Sequence, residues 1–598
     1  MKTFLKIALT GVAVLAVAIG TWLLNPEPEQ PAAHDSAINQ PFDGILSAPS
    51  ADRQPAVAVP EVSSAIRFQD VASAAGVEFV YYGSPSPDQY MTEQNGGGIA
   101  VFDYDADGIV DLFFSNGSHF EDKAESQGAT DVLYRASAPL KYEAVTSLAA
   151  LERFGFGQGC AAADYDNDGF SDLFVCCFGK NHLWRNNGDG TFSDVTDAAG
   201  AGDEHWATSA AFADLDADGL LDLYVVNYVD WTPDAEPCFL DKSQERRKVC
   251  SPLDFHGQSD LLLKNNGDGT FVPTDSFQDS HSAIAGKGLA IAMADLNADS
   301  MLDIFVANDT MQNFLFVNKG SLTFEESAVS EGIAFSQDGS LGSSMGIAVG
   351  DYDRNSFPDL FVTNFAHEVI DAITNLGPNG FIANNAELGL DASSTVVLNF
   401  GIVMADFDLD QWPDLFFTNG HLWDSGPGGD EYRMRPNVLQ NHEGRFFSDV
   451  SDSAGSYFNE RWLGRAVAAG DLDNDGDTDL VVGQLLDPAA LLENTSQRQG
   501  HSVLATFIGT KSCRQPLGCQ VDAQLDNGIT VTTHIPSGGS FQASHDVRIV
   551  IPVAASREIT RLSIHWPGGP IESWSHLSCE AGLTLIEGTG QLAQTLAP

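Results

Sequence analysis

Positive charge is scarce in this chain: 29 lysines and arginines stand against 83 aspartates and glutamates, a formal net charge of −54. Nucleic-acid recognition needs a basic footprint, so the balance argues against that class. No Walker A loop or His-Glu-x-x-His pair occurs, which leaves the P-loop nucleotide-binding enzymes and the His-Glu-x-x-His metalloproteases without support. Beyond Leu24 no apolar stretch is long enough to cross a bilayer as a helix. The length of 598 residues is ample for one large core plus a second domain.

What the chain does have is a repeated acidic turn. In Asp164-Tyr165-Asp166-Asn167-Asp168-Gly169-Phe170-Ser171-Asp172 the carboxylates fall at positions 1, 3, 5 and 9, with glycine at 6. A hard cation such as Ca2+ takes six to eight oxygens, and alternate carboxylates on a tight loop can converge on one point. The pattern recurs from Asp103, Asp214, Asp295, Asp351, Asp406 and Asp471, seven copies in all. A single copy reads equally well as a solvated turn. Seven with one ligand spacing set that reading aside.

The flanks distinguish these loops from EF-hands, which carry a glutamate at position 12 between helices. Here position 12 is Phe114, Val175, Val225, Val306, Val362, Phe417 and Val482. Short runs rich in β-branched and aromatic residues, such as Leu173-Phe174-Val175, read as buried strands. The unit is strand, cation loop, strand. First aspartates recur at intervals of 61, 50, 81, 56, 55 and 65 residues, the scale of propeller blades. Near copies run from Phe68 to Gly76, Phe192 to Gly200 and Phe447 to Gly455. The first precedes every cation loop, as though an N-terminal strand completes the last blade and closes the ring.

Residues 1–24 are a targeting segment, with Lys2 and Lys6 ahead of an uncharged run from Ile7 to Leu24. It is either a cleaved signal peptide or an uncleaved anchor. Both place the remainder outside the cytoplasm: periplasmic, secreted or anchored to the membrane. Residues 25–65, rich in Pro and Ala, read as a disordered tether. The repeats occupy 66–495. The long interval holds an insertion at about 230–258, where Cys238 and Cys250 are expected to pair in an exported protein. Cys513 and Cys519 are a second candidate pair. Residues 500–598 alternate polar and apolar side chains in Val503–Phe507, Ile529–Thr533, Val547–Ile551 and Leu562–Trp566, which predicts a small antiparallel β domain.

Together Gly96–Gly108, the recurring Asn-Asn-Gly-Asp-Gly-Thr-Phe, Thr418–His421 and the segment around Trp566 resemble the FG-GAP (VCBS) repeat proteins that end in an ASPIC/UnbV domain. Integrin α heads are more distant relatives by blade. The resemblance implies an all-β fold: a seven-bladed β-propeller with structural Ca2+, up to seven ions, in loops on one face. Carried onto this chain, the ligands are Asp103, Asp105, Asp107 and Asp111; Asp164, Asp166, Asp168 and Asp172; Asp214, Asp216, Asp218 and Asp222; Asp295, Asn297, Asp299 and Asp303; Asp351, Asp353, Asn355 and Asp359; Asp406, Asp408, Asp410 and Asp414; and Asp471, Asp473, Asp475 and Asp479. Position 7 (Ile109, Phe170, Leu220, Asp477) would add a carbonyl. Three loops depart from the pattern: Asn297 and Asn355 replace carboxylates, and Ser300, Ser356 and Gln411 replace glycine. These three are expected to bind less tightly.

The functional reading is an extracytoplasmic calcium-binding β-propeller, its calcium structural, that acts as a binding or adhesion module for a protein or glycan and meets membrane only where the N-terminal segment is an anchor. The alternatives are a propeller-scaffold enzyme acting on polysaccharide and a structural envelope protein. The most suggestive catalytic candidate is His421, and its bland reading is a turn histidine satisfied by backbone. His256 and His281 are read the same way.

Overall fold

The computed structural model describes residues 64–592 apart from 84–85, 119, 121–129, 242, 244 and 275–284. The expected targeting segment, the tether up to residue 63 and His281 lie outside the described residues.

The fold is all-β. From residue 99 to 494 the strands assemble into antiparallel sheets in chain order. The second sheet is representative: Phe156–Ala163, Asp172–Phe178, His182–Asn186 and Phe192–Asp194 pair in sequence, and the acidic turn joins its first two strands. The first strands of the others are Ile99–Phe102, Ala207–Ala213, Gly288–Ala294, Ile347–Gly350, Asn399–Ala405 and Gly464–Gly470. In the seventh sheet the fourth strand comes from the other end of the chain. Phe68–Asp70 pairs antiparallel with Ala490–Asn494, Phe68 opposite Asn494.

Each first strand packs against the first strand of the next sheet, and Gly464–Gly470 packs against Ile99–Phe102. These strands are rich in Ala and Gly because they crowd together. A Cβ on Gly159 would meet Thr208 O at 2.3 Å, and one on Gly346 would meet Phe400 O at 2.3 Å. Hydroxyls close the same gaps: Thr208 Oγ1 donates to Gly288 O at 2.8 Å and Thr363 Oγ1 to Phe400 O at 2.6 Å.

The longest interval, from the third acidic turn to the fourth, holds the insertion, between the second and third strands of the third sheet. There Cys238–Phe239 pairs with Arg247–Lys248, and a Cys238–Cys250 disulfide ties the hairpin, as expected. The second expected pair does not form. Cys513 and Cys519 are separate, buried thiols, because the loop between them is held down elsewhere. Arg514 N donates to Asn167 Oδ1 at 2.8 Å, and Gln515 Oε1 accepts from Asp164 N at 2.9 Å.

Two further sheets follow. One contains Ile549–Ala554, His501–Ile508 and Leu583–Ile586; the other contains Thr530–His534, Gln520–Leu525, Glu558–His565, Ile571–Ser578 and Gln591–Leu592. Val503, Ala505, Val521, Ala523, Ile551, Leu562 and Trp566 fill the core between them. The expected purely antiparallel arrangement needs one correction: Leu583–Ile586 runs parallel to His501–Ile508. It returns from a strand of the other sheet, and a crossover connection permits that direction.

From these sheets a tongue, residues 536–546, runs along the axis lined by the first strands. Its contacts reach every one of the repeat sheets. Ala543–Ser544 pairs parallel with Ile99–Ala100. Ser544 Oγ accepts from Ala162 N at 3.1 Å, and Ser537 Oγ donates to Phe212 O at 2.8 Å. Gly539 N donates to Ile291 O at 2.7 Å, and Ile347 N to Ser540 O at 3.1 Å. The Phe541 ring meets Phe400 with centroids 5.1 Å apart, and Ala469 N donates to His545 Nδ1 at 3.0 Å. Ser540, Phe541 and Gln542 are fully buried.

Candidate metal centres on the loop face

Each acidic turn folds on its first aspartate. In the second loop Asp164 Oδ1 accepts from Asp168 N and Oδ2 from Gly169 N, both at 2.9 Å. The ninth residue closes the turn: Asp172 Oδ2 accepts from Tyr165 N at 3.1 Å, while its Oδ1 accepts from Asn186 N at 2.8 Å on the third strand. Positions 4 and 6 are left-handed throughout, including the non-glycine Ser300 (φ 69), Ser356 (φ 68) and Gln411 (φ 76). Those three residues hold the strained geometry that glycine supplies elsewhere.

The folded turns gather the expected side chains. Oxygens of Asp103, Asp105 and Asp111; of Asp164, Asp166 and Asp172; of Asp214, Asp216 and Asp218; of Asp351, Asp353 and Asp359; and of Asp406, Asp408 and Asp414 converge within 4.8 Å in each group, close enough to hold a metal ion. The Asp295 and Asp471 loops adopt the same turn: Asp299 N donates to Asp295 Oδ1 at 3.0 Å and Asp475 N to Asp471 Oδ1 at 3.1 Å. Position 5 is more open, with Asp107 and Asp168 exposed.

These carboxylates suit a hard divalent cation on two counts. The donor sets are all oxygen. And Asp105 Oδ1, Asp216 Oδ1 and Asp408 Oδ1 are buried with no hydrogen-bond partner, a costly state for a carboxylate unless something positive fills the gap. The ninth-position groups feel this most. Burial, partly offset by backbone donors and reinforced by neighbouring carboxylates, pushes Asp111 and Asp303 up to about 8 and Asp172 to about 9.

Two residue classes went unseen in the sequence. One is an asparagine at the end of the third strand. Asn186 Nδ2 donates to Tyr104 O at 2.7 Å, Asn265 to Tyr165 O at 2.9 Å, Asn318 to Leu215 O at 2.9 Å, Asn375 to Leu296 O at 2.8 Å, Asn441 to Tyr352 O at 3.0 Å and Asn494 to Phe407 O at 3.0 Å. Each amide ties its sheet to the second residue of the preceding acidic turn. The recurrence of Asn before the hairpin turn was the available signal.

The other class is cationic. Arg135 Nε sits 2.6 Å from Asp105 Oδ2, and Lys264 Nζ reaches Asp216 and lies 2.8 Å from Asp218 Oδ2. Arg498 pairs with Asp475 and lies 2.8 Å from Asp477 Oδ2. Arg514 Nε is 3.5 Å from Asp164 Oδ2.

The C-terminal sheets meet this whole face. Arg548 Nη1 donates to Gly108 O at 3.3 Å, Gly568 N to Ser300 O at 3.1 Å, and Gln411 Nε2 to Pro552 O at 3.5 Å. Thr532 Oγ1 lies 3.4 Å from Ser356 Oγ, and Lys511 O crowds Gly219. With the Arg514 and Ser502 contacts to the second and seventh turns, all of the acidic turns are touched. A cavity of about 200 Å³ remains between this cap and the first strands, lined by Asp351, Asp406, Asp471, His534 and Arg548.

The histidine candidates sit apart from these turns. His421 is buried, its Nδ1 against the backbone of Trp423 and its Nε2 3.9 Å from Asp430 Oδ2; burial lowers it to about 4. His256 is exposed beside Asp230.

The FG-GAP-like repeat family matches residues 164–225 and 295–362, the FG-GAP repeat family residues 463–485, and the ASPIC and UnbV family residues 509–592. The chain is 24% identical over 441 residues to cartilage acidic protein 1 of Xenopus tropicalis, covering 70% of this chain and 62% of that protein. It is 24% identical over 424 residues to the Homo sapiens protein of the same name, covering 67% and 57%. The chain thus spans about three fifths of the length of the curated relatives it matches. Solved structures with some likeness include BBS1N in complex with ARL6DN (TM-score 0.39, 10% identity, 72% of this chain and 98% of that one) and YCF48 bound to D1 peptide (TM-score 0.39, 7% identity, 74% and 98%).

Proposed function

We propose, from the FG-GAP-like repeats and the ASPIC/UnbV unit that the chain carries, that it is an extracytoplasmic calcium-dependent binding module for a protein or glycan. Residues 66–495 form a seven-bladed β-propeller, and residues 500–598 form its cap. In this reading Ca2+ is structural. The paired carboxylates of each turn would hold it, and the ion would supply the positive charge that lets two strands approach through a cluster of acids. The cyclic packing of first strands, the borrowed strand Phe68–Asp70 and the unpartnered carboxylate oxygens support it.

The single observation that carries the functional reading is the cap's contact with every acidic turn. The cap occupies part of that face and the tongue fills the axis, which leaves the opposite edge the freer one. The opposite edge is where second strands connect to third strands, and it bears the disulfide-tied insertion. There Asp88, Tyr90, Trp231, Arg247 and Lys248 line a hollow of about 170 Å³. Recognition belongs on such connecting loops, held by a rigid scaffold.

The test is a glycan array run beside a pull-down from membrane extract, using the intact protein, Y90A/R247A and, as a control for the capped face, R514A. Loss of a captured ligand in the first variant and retention in the second is expected. Retention in the first with loss in the second would place recognition on the capped face and overturn the assignment.

A further inference from the structure

The edge opposite the acidic turns brings two histidines to one carboxylate. His367 lies in the loop between Asp359–Val362 and Asp371–Asn375 of the fifth sheet. His421 and Asp430 lie in the loop between Asp414–Asn419 and Asn437–Asn441 of the sixth. His367 Nε2 is 3.0 Å from Asp430 Oδ1, and His421 Nε2 is 3.9 Å from Asp430 Oδ2.

His421 is held firmly. Its N donates to Tyr432 O at 2.8 Å, and the buried Arg465 guanidinium donates to its carbonyl at 3.3 Å. Its side chain is only 1% exposed, in T-shaped contact with Trp423 and Phe365 at centroid distances of 4.6 and 5.6 Å. Nδ1 is 3.1 Å from Trp423 O and 3.3 Å from Trp423 N. A carbonyl oxygen only accepts, so the shorter contact puts the ring proton on Nδ1 and leaves a lone pair at Nε2. Among the described residues that Nε2 makes no hydrogen bond. A buried acceptor facing a carboxylate, itself an acceptor, is a costly pairing unless a cation or a donor fills the gap.

His367 takes a left-handed backbone (φ 72) that residues other than glycine rarely adopt, with its N donating to Thr395 O at 2.7 Å. The surrounding chain maintains the conformation that carries its ring to Asp430. The ring is exposed, so its proton can sit on Nδ1 against water when Nε2 is needed as a ligand.

The spacing selects the ion. Zinc holds nitrogen at about 2.0–2.1 Å and carboxylate oxygen at about 2.0–2.2 Å, so ligand atoms around a tetrahedral ion lie roughly 3.4 Å apart. The separations of 3.0 and 3.9 Å straddle that value. Calcium takes oxygens, whereas two imidazoles and a carboxylate make the mixed set of an open zinc centre. Trp423 O is then the outer acceptor that orients a ligating histidine.

We propose that His367, His421 and Asp430 bind a zinc-class divalent ion that clasps the loops of the fifth and sixth sheets and keeps its fourth position open to water or to a donor atom of a ligand. The site is separate from the acidic turns and does not depend on calcium in them. Lys248, which lines the hollow described above, lies 5.7 Å from the Trp423 ring centroid, so the ion stands beside the proposed recognition edge.

The experiment is calorimetric titration of Zn2+ into the full chain in excess Ca2+, which keeps the acidic turns filled, for the wild type, His367→Gln, Asp430→Asn and, as a control, His256→Gln. One zinc site is expected in the wild type and in H256Q. It should weaken at least roughly tenfold in H367Q and D430N, since losing even an outer partner of a zinc ligand costs that much. Co2+ in place of zinc should give a visible absorption band that both variants lack, a signature that a merely structural histidine would not produce. Should D430N fail to fold, H367Q, at an exposed position, decides. A wild type that takes up no zinc overturns the proposal and assigns the gap to water. Zinc binding that survives unchanged in H367Q, or falls equally in H256Q, overturns it as well.

Discussion

Arg548 Nη2 donates to the carbonyl oxygen of Asp471 at 2.9 Å, while Nη1 reaches Asn474 Oδ1 at 2.8 Å and Gly108 O at 3.3 Å. One guanidinium from the C-terminal sheets therefore joins the last acidic turn to the first. Elsewhere the same junction is made by a third-strand asparagine. The first sheet has Ala136 at that position, making the backbone bond to Asp111 Oδ1 at 2.7 Å but offering no amide. Arg548 stands in for the missing tie.

Arg548→Ala should therefore cost about 3 kcal/mol, because it strands the buried Asp546 carboxylate as well as opening the seam. R548K, with a point charge and no fork, should recover only part. Calorimetry checks this, and a melting temperature within a degree of wild type would show the seam is held by other means.

Asn441→Ala should cost about 1–3 kcal/mol by leaving the carbonyls of Tyr352 and Pro413 without their shared donor. Asn441→Asp has the same shape and should be worse, since it aims a charge at two carbonyl oxygens. Chemical denaturation of the three proteins gives the order; equal midpoints for both variants would contradict it.

Chelated protein should melt lower as pH rises from about 6 to 9. Asp111, Asp172 and Asp303 have folded values raised to between about 8 and 9. A raised carboxylate keeps its proton in the folded state, so that stabilisation is present at low pH and is lost as pH climbs through the folded value. In excess Ca2+ the trend should flatten or reverse, because protons then compete with the ion. Scanning fluorimetry at several pH values with and without EGTA reads both slopes. A chelator that leaves the melt unchanged at pH 8 would count against any structural ion.

Phe541→Ala should cost about 3–5 kcal/mol, the usual penalty for emptying a buried aromatic site. Hydrogen exchange should rise in Ile99–Phe102 and Ile347–Gly350, which bond the tongue, and stay unchanged at Cys238–Phe239. Uniform protection would mean the axis tolerates a looser fit.

The acidic turns were legible because their chemistry is local: ligand spacing is set within nine residues, and the flanking Leu173-Phe174-Val175 type of run is unmistakably strand. Phe68–Asp70 as a borrowed strand was legible for a similar reason, since it copies Phe192–Asp194. The ties were not. Asn441 meets Tyr352 across 89 positions and Arg514 meets Asn167 across 347, so no window of sequence contains both partners. Residues 536–546 carry no apolar periodicity of their own, because their burial is created by other parts of the chain. The parallel strand Leu583–Ile586 and the unpaired Cys513 and Cys519 escaped for the same reason.

The tongue also sets an order of events during synthesis. The residues that fill the axis leave the ribosome after every repeat strand, and Phe68–Asp70 waits for Ala490–Asn494 before it finds a partner. A chain terminated before residue 546 would lack both its centre and its cap, exposing apolar first strands to proteases.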